Sequence, residues 1–379
     1  MMIAFNKFFP KSNHDAAVSI SPIGFDLGHN RLNMLQMETV NDSPSIRAAV
    51  SSPYPCAYEE LIAHPARFRA YVKQVLSDQP FAGKKVIACM PYGDDLKLVN
   101  IDFRKQSDES DQDAIIRELK ERYGNELDQS IVDYLLIRSS DNDSPERSAL
   151  VAIAKRQSVL SYLDLLHKAG LEVIALDIGP AALARVITAL NKEKTHPNVL
   201  LINFGKQHSY LTVVWGRRHI LDREIDFGED LLLDKLSETL EISHEAAARL
   251  LHQHGFNNGK HEAKMHDDYD PATVAKITGI IEQAATELTN EINKTLIYIA
   301  SKTRGGSVEH MYLLGSIIRF PNAVQWLNDL LSIPVDILNP YTCFDKCNNF
   351  TPPADQESAV SSAIATGLAL RGLPRHDRN

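Results

Sequence analysis

A glycine turn near the start of the chain could place backbone groups against a phosphate. Asp26 and Gly28 lie in this turn, between two apolar segments typical of β-strands. A short acidic residue followed by glycine allows a tight turn whose N–H groups can cradle an anion. Such turns are usually followed by hydroxyl or ammonium groups, whereas His29, Asn30 and Arg31 follow here. The shape of the turn therefore predicts a phosphate site, and the side chains that follow argue against it.

A similar turn recurs about half a chain later. Asn203 and Gly205 again stand between two strand-like segments, so the two halves of the chain begin alike. Two duplicated lobes would explain this repetition, and a chance repeat of one glycine hairpin is the alternative. A third turn, at Gly315 and Ser316, separates a strand from a helix and could let the backbone approach a nucleoside. A final helix of small residues, at 358–370, could pack near a phosphate turn.

Apolar periodicity predicts the elements that must position these turns. After the first hairpin, strands are predicted at residues 84–91, 96–103, 132–140, 148–154, 171–178, 309–316 and 333–338, with three consecutive strands in residues 198–228. Helices are predicted around residues 61–75, 115–123, 159–170 and 183–190, and a long one begins at Pro271. A hinge is predicted at residues 192–197, and a polar surface loop at residues 257–270.

The composition restricts the classes of protein to which the chain can belong. A length of 379 residues suggests two domains or one bilobal body, and 44% hydrophobic residues are enough to build cores. A net charge of −9 argues against a non-specific nucleic-acid binder, which would present a basic face. Four cysteines do not make a disulfide framework and favour a reducing compartment. No apolar run is long enough for a signal peptide or a membrane span, so we expect a cytoplasmic protein.

No other group of residues predicts a catalytic or metal site. Cys343 and Cys347 form a C-x3-C pair, and a zinc site would need a second tight pair of ligands. The acidic segment at residues 104–113 lacks the central glycine and final glutamate of an EF-hand calcium loop. The acidic first turn of a helix explains this segment better. Pairs of nucleophile and base cannot be argued from spacing, so we expect no catalytic residue.

The order of these pieces resembles the actin-like ATPase superfamily, and within it the PilM family of type IV pilus assembly proteins, including those of MSHA-type pili. The resemblance runs from about Ile23 to Leu373 and is carried by residues 149–187, 223–236, 242–251 and 333–341. It implies an α/β fold that is bilobal and actin-like, with ribonuclease H-like duplicated halves and a 1C insertion of the FtsA or PilM type. The implied divisions are subdomain 1A at residues 17–85 and 177–195, the 1C insertion at 86–176, subdomain 2A at 196–215 and 306–373, and subdomain 2B at 216–305.

The resemblance also implies a nucleotide site, with ATP or ADP and Mg²⁺ as candidate cofactors. Its residues would be Asp26, Gly28, Asn33, Asn203, Gly205, Gly228, Gly315 and Ser316. The family pattern has lysine, aspartate and glycine where this chain has Asn33, Asn203 and Ser316, and an amide cannot supply the charge that holds hydrated Mg²⁺. Ala248 and Leu251 stand where the family has polar contacts to the nucleoside. These departures imply that hydrolysis is lost and that nucleotide binding is weakened or lost.

The resemblance therefore favours a scaffold over an enzyme. PilM-like proteins bind the N-terminal cytoplasmic tail of a PilN-like single-span inner-membrane protein between subdomains 1A and 1C, so such a tail is the expected partner. Pilus motor components and a second copy of the chain are further candidate partners, whereas nucleic acid and direct membrane insertion are not expected. The protein would be peripheral to the inner membrane through its partner. 

Two other functions are compatible with the same fold. An active actin-like ATPase or ATP-dependent switch is the main alternative, and Asn203 counts against it because this reading needs a second acidic residue. A filament tethered to the membrane, as in FtsA, usually needs an amphipathic C-terminal helix. The last residues here are few, polar and interrupted by Pro374, which counts against that hypothesis.

Overall fold

The computed structural model divides the chain into two compact units. The first comprises Met1–Thr195, Arg217–Asp222 and Asn339–Asn379, and the second comprises His196–Gly216 and Arg223–Leu338. The residues that the structure describes are 19–28, 30–40, 43–91, 95–106, 108–137, 146–190, 198–216, 218–256, 270–347, 350–353 and 355–373. His29, the predicted hinge at 192–197 and the predicted loop as far as residue 269 lie outside the described residues.

Strands and helices alternate along the chain. The strands are β1 (Ile23–Leu27), β2 (Arg31–Val40), β3 (Ser43–Pro53), β4 (Lys85–Cys89), β5 (Leu96–Arg104), β6 (Ser130–Ile137), β7 (Glu146–Lys155), β8 (Glu172–Asp177), β9 (Asn198–Phe204), β10 (Ser209–Trp215), β11 (Arg218–Ile225), β12 (His310–Gly315), β13 (Val335–Ile337) and β14 (Asp345–Lys346). The helices are α1 (Tyr58–Ala63), α2 (Pro65–Ser77), α3 (Asp111–Tyr123), α4 (Arg156–Lys168), α5 (Gly179–Leu190), α6 (Glu229–Leu240), α7 (His244–His254), α8 (Pro271–Lys302), α9 (Ala323–Leu330), α10 (Pro340–Cys343), α11 (Gln356–Ser361) and α12 (Ala363–Arg371). Short 3-10 segments occur at Gly124–Gln129 and Ile317–Arg319.

The first unit is built on a mixed sheet. Among the described residues its strand order is β14-β3-β2-β1-β4-β8. β1 pairs antiparallel with β2 and parallel with β4, which in turn pairs parallel with β8. All of β1 is buried, as expected for a central strand that is covered on both faces. Phe68 of α2 and Leu166 of α4 belong to the core on one face, and Ala182 of α5 and Leu368 of α12 to the core on the other.

Two glycines let α12 approach its neighbours at backbone distance. A Cβ atom on Gly24 of β1 would lie 1.9 Å from the carbonyl oxygen of Ala365. A Cβ atom on Gly367 would lie 2.0 Å from the carbonyl oxygen of Ala182. Both distances are far below van der Waals contact, so the packing of α12 on β1 and α5 requires glycine at both positions.

The position of α12 differs from the domain division expected from the sequence. Residues 306–373 were expected in subdomain 2A, but the structure places Asn339–Asn379 in the first unit. The physical reason is the close contact of the small residues of α12 with β1 and α5. The last helix therefore completes the core around the first glycine turn.

A separate antiparallel sheet of order β5-β7-β6 also belongs to the first unit. α3 packs on one face of this sheet and buries Ile101, Ile115 and Leu119. The acidic segment forms the first turn of α3, where the Ser110 hydroxyl accepts a hydrogen bond from the N–H of Asp113. The expectation of an acidic helix terminus at this place is confirmed.

This small sheet is shorter than the insertion expected at residues 86–176. Strand β4 pairs with β1 in the main sheet, and Tyr162 and Leu166 of α4 pack in the main core. The neighbouring strands expected at 84–91 and 96–103 therefore lie in different sheets. Parallel pairing of β4 with β8 joins segments that are far apart in the chain, which local periodicity does not reveal. In the structure the inserted sheet extends from β5 to β7.

The second unit is built on the sheet of order β11-β10-β9-β12-β13. β9 and β10 are antiparallel, whereas β12 runs parallel to both β9 and β13. The three consecutive strands predicted in residues 198–228 are confirmed, as is the long helix from Pro271. This helix, α8, begins at an N-cap in which Asp270 accepts hydrogen bonds from the N–H groups of Ala272 and Thr273. None of the helices in the described part of the chain is long and apolar enough to cross a membrane.

We predict that Gly367→Ala destabilises the protein and that Gly279→Ala stabilises it. Both glycines lie inside helices, so each substitution gains helix propensity of about 0.5–1 kcal/mol. A Cβ atom at Gly279 of α8 would meet no atom within 4 Å, whereas one at Gly367 would overlap the carbonyl group of Ala182. We expect Gly367→Ala to lower the free energy of unfolding by about 2 kcal/mol, measured by urea denaturation. Equal effects of the two substitutions would contradict the close packing of α12.

Candidate functional site

The first glycine turn contains a buried carboxylate. Asp26 lies near the end of β1, opposite Asn33 in the register of β2. The Nδ2 atom of Asn33 donates a hydrogen bond to Oδ2 of Asp26 at 3.1 Å. Burial raises the pKa of Asp26 to about 6, and the hydrogen bond from Asn33 opposes this rise only in part. The carboxylate of this turn is therefore held by a neighbouring amide.

A chain of polar contacts leads from Asn33 to the C-terminal part of the first unit. The Ser51 hydroxyl donates to Oδ1 of Asn33 at 2.7 Å, and Nε of Arg31 donates to the Ser51 hydroxyl at 2.9 Å. The same guanidinium donates to Oγ of Ser358 at 2.9 Å and forms an ion pair with Glu357 at 3.4 Å. The guanidinium of Arg31, which follows the turn, is thus bound by residues of α11.

Tyrosines hold the backbone next to the same turn. The hydroxyl of Tyr54 donates to the carbonyl oxygen of Gly28 at 2.7 Å, and that of Tyr71 donates to the carbonyl oxygen of Ser52 at 2.8 Å. The ring centroids of Tyr54 and Tyr58 are 5.7 Å apart. Burial raises the pKa of the Tyr54 hydroxyl, which therefore stays a neutral donor. These hydrogen bonds hold the turn through groups of the protein itself.

In the second unit, three glycines allow backbone segments to cross closely at the other turn. A Cβ atom on any of them would overlap a neighbouring carbonyl oxygen: at Gly205 that of His208 at 2.2 Å, at Gly228 that of Lys206 at 2.3 Å, and at Gly315 that of Phe204 at 2.0 Å. Gly315 also has a φ of +90°, which side chains rarely allow. Packing alone therefore requires glycine at all three positions.

Ser316 closes this second turn with its own side chain. Its N–H donates to the carbonyl oxygen of Phe204 at 2.8 Å, and its hydroxyl donates to that of Gly205 at 3.0 Å. The N–H of Glu229 donates to the same Gly205 carbonyl at 3.2 Å. The Glu229 carboxylate is buried and paired with Arg319. Ser316, which stands where the family pattern has glycine, is therefore part of the internal bonding of the turn.

The structure brings the expected site residues together within each unit. Asp26, Gly28 and Asn33 share the turn of the first unit, where a Cβ atom on Gly28 would lie 3.0 Å from Nδ2 of Asn33. The second unit gathers Asn203, Gly205, Gly228, Gly315 and Ser316. Leu251 of α7 is fully buried and so has a role in packing.

Sequence reasoning missed the residues that connect the first turn to the rest of its unit. These are Arg31, Ser51 and Tyr54. A signal for Arg31 was present, because residues two apart in a strand share a face and Arg31 precedes Asn33 by two. Ser51 is the direct cross-strand partner of Asn33, but only the register of β2 with β3 reveals this.

Two strand edges in the first unit form a second candidate site. Among the described residues, β6 is an edge strand of the small sheet and β8 is an edge strand of the main sheet. Each carries an exposed apolar residue: Leu135 is 40% exposed and Ile174 is 44% exposed. An edge strand offers unpaired N–H and C=O groups on which another strand can be added. These two edges can therefore accept an extended peptide.

Charged groups on the two edges also lie close enough to act on one another: Asp133 is on β6 and Asp177 is on β8. Burial raises the pKa of Asp133 on β6 to about 6; the N–H of Tyr134 and the charge of Arg371 lower it, and the charge of Asp177 on β8 raises it. Asp177 itself is paired with Arg185 at 2.7 Å and with Arg371 at 2.8 Å. A half-buried carboxylate thus stands beside a balanced cluster of charges.

The remaining ligand-type residues have simpler roles. In the described part of the chain, His208, Glu224 and Asp226 place three ligand atoms within 4.8 Å of one another, but all three side chains are at least 44% exposed. Burial and the hydrogen bond to Glu38 raise the pKa of Cys347 to about 11. Its Sγ donates to Oε1 of Glu38 at 3.0 Å, so this cysteine is a neutral donor.

Comparison with solved structures shows the class of fold. A structure of a PilM-PilN type IV pilus biogenesis complex matches with 20% identity, covers 94% of this chain and 99% of that chain, and has a TM-score of 0.71. The ethanolamine utilization protein EutJ from Carboxydothermus hydrogenoformans matches with 10% identity over 97% of this chain and 92% of its own, at a TM-score of 0.48. MreB5 of Spiroplasma citri bound to ADP matches with 13% identity over 91% and 94%, at a TM-score of 0.46. The first likeness confirms the actin-like fold expected from the sequence.

The family follows from the sequence itself. The family model described as type IV pilus assembly protein PilM matches residues 24–373. The chain therefore belongs to the PilM family of type IV pilus assembly proteins. No curated protein sequence matches it.

We predict that Asp26→Asn stabilises the protein at pH 8. The pKa of Asp26 is about 6 in the folded chain, above the ordinary value of 3.8, so burial of the ionised form costs stability. This cost is absent below about pH 4, grows as the pH rises to 6, and is present in full above the folded pKa. We expect Asp26→Asn to raise the free energy of unfolding by about 2 kcal/mol at pH 8 and to change it little at pH 4.

The matched variant for this test is Asn33→Asp. It places a second carboxylate against Asp26, where the two groups cannot both be charged without cost, so it should lower stability at pH 8. Urea denaturation at the two pH values measures both effects. If Asp26→Asn destabilises the chain equally at both pH values, the ionised form of Asp26 is not disfavoured by burial.

Proposed function

We propose that this protein is a scaffold in the inner-membrane assembly complex of a type IV or MSHA-type pilus, where it binds the N-terminal cytoplasmic tail of a PilN-like single-span protein. Membership of the PilM family and the fold shared with the PilM-PilN complex support this role. The observation that carries the proposal is the pair of strand edges, β6 and β8, in the first unit. Attachment to the inner membrane would come through the partner.

The edges suit an extended peptide in three ways. Free backbone groups on an edge strand supply hydrogen bonds to an added strand, whatever its sequence. Exposed Leu135 and Ile174 offer apolar surface to side chains on one face of that peptide. Ile131, two residues before Asp133 and four before Leu135, packs against the main core, so the edge is held in a fixed position. The peptide would therefore meet a preformed surface.

We also propose that the scaffold works without nucleotide hydrolysis. The first turn already has partners for its carboxylate and for the Gly28 carbonyl. In the second turn the N–H groups of Ser316 and Glu229, the kind of donor that a phosphate would need, already bond to the carbonyls of Phe204 and Gly205. Asn203 stands where an active member of the superfamily has an acid. A polar group satisfied internally gains little from a ligand, which argues for a role in binding rather than in catalysis.

We predict that Leu135→Asp weakens binding of the tail by at least about tenfold, because a charge on the apolar edge must be desolvated when the peptide docks. Ile174→Asp should act in the same direction. The matched control is Ile297→Asp on α8 of the second unit, since Ile297 is 71% exposed. The measurement is calorimetry with a synthetic peptide of the N-terminal tail of the PilN-like protein from the same organism. Unchanged affinity in both edge variants would place the tail elsewhere.

We predict that Mg-ATP at millimolar concentration gives neither binding heat nor thermal stabilisation. The reason is that the Asp26 carboxylate is already bonded to Asn33, and that the N–H groups of Ser316 and Glu229, the donors that a phosphate would need, already bond to protein carbonyls. The measurement is calorimetric titration with thermal-shift assays alongside. Binding that disappears in Asp26→Ala would instead favour the alternative of an active actin-like ATPase or nucleotide switch, and turnover should then be assayed.

A further inference from the structure

Strand β6 has two different faces, and Asp133 lies on the face away from α3. The residues that pack toward α3 are Val132, Tyr134 and Leu136. By the two-residue period of a strand, Asp133 shares the opposite face with Ile131 and Leu135. Ile131 packs against the main core, and Leu135 is 40% exposed. An acidic residue therefore stands between two apolar residues on a strand edge that has no partner strand in the described part of the chain.

Asp133 has no ion-pair partner among the described residues. Its carboxylate is half-buried and accepts a hydrogen bond from the N–H of Tyr134. Arg371, the cation whose charge acts on it, is held by Oδ2 of Asp177 at 2.8 Å and by the carbonyl oxygen of Leu176 at 3.0 Å. A partly desolvated carboxylate in this position gains from a cation that can donate a hydrogen bond to it.

The tail of the PilN-like protein, which we expect to bind at this edge, can supply such a cation. Cytoplasmic segments next to a membrane span carry an excess of lysine and arginine. We infer that Asp133 selects the tail by binding one of its lysine or arginine side chains, and that this contact sets the register of the tail along β6. The inference rests on the proposed function. With the cation opposite Asp133, tail residues two positions away face Ile131 and Leu135, so apolar side chains are expected there.

Binding of a cationic tail at Asp133 would depend on pH. The groups that act on Asp133 are Arg371 and Asp177, together with Arg185 bound to Asp177 and Tyr134 on its own strand. The arginines stay charged throughout the range of interest. Burial holds the pKa of Asp133 at about 6, so the carboxylate is mainly ionised at pH 7.5 and mainly neutral at pH 5. The preference for a charged tail should therefore be larger at pH 7.5.

The test is a double-mutant cycle on the full chain. The probes are the synthetic tail peptide and a neutral version in which citrulline replaces arginine and acetyl-lysine replaces lysine. The protein variant is Asp133→Asn, which keeps the shape of the side chain. The matched control is Asp102→Asn, which removes the same charge from β5, the other edge strand of the small sheet. Thermal unfolding of each variant confirms that it is folded.

We expect the unsubstituted chain to bind the charged peptide about tenfold more tightly than the neutral one at pH 7.5. Asp133→Asn should reduce this preference to about twofold, and Asp102→Asn should leave it unchanged. The preference should also shrink at pH 5 in the unsubstituted chain and in Asp102→Asn, but not in Asp133→Asn. If Asp133→Asn and Asp102→Asn prefer the charged peptide over the neutral one to the same degree, the role of Asp133 is overturned and the proposed function still stands. Failure of the unsubstituted chain to bind either peptide overturns both.

Discussion

The buried end of β1 is the constraint on which the first unit depends. The strand is covered on both faces, so Asp26 loses its water where the chain must turn. A buried carboxylate without partners would cost several kcal/mol. Asn33 bonds to it, and the polar chain through Ser51 and Arg31 ends at α11. One desolvated group thereby ties the β2–β3 hairpin and the C-terminal helices to the same turn.

In the second unit, too, the polar groups of the turn need partners, and backbone groups supply most of them. Its three turn glycines admit neighbouring carbonyl groups, and Ser316 bonds to one of them. A glycine kept for close packing and a glycine kept for a phosphate look the same in a sequence, because both positions exclude a Cβ atom. What distinguishes the two cases is whether the polar groups of the turn already have partners. In this chain the N–H groups of Ser316 and Glu229, which could otherwise donate to a phosphate, already have partners.

Local pattern was enough to predict α8 and the three strands β9–β11, since their periodicity is strong and their neighbours are close in sequence. It was not enough to predict where the inserted sheet begins and ends, because β4 and β8 pair in parallel although they are far apart in the sequence. Nor could it place α12, whose small residues pack on backbone that is distant in sequence. For the site, the turn positions were predictable. The path through Ser51 was not, because cross-strand register determines which side chains meet.

The exposed edge of β6 could pair with unrelated strands, and Asp133 can prevent such pairing. An exposed apolar edge invites pairing with any strand, and proteins often prevent this with a charge that points inward along the edge. Asp133 lies between Ile131 and Leu135 in this way, so an apolar strand added here would bury an unpaired carboxylate. A strand that brings its own cation avoids that penalty. The same residue would then protect the free chain from unwanted association and admit the basic tail of a membrane protein.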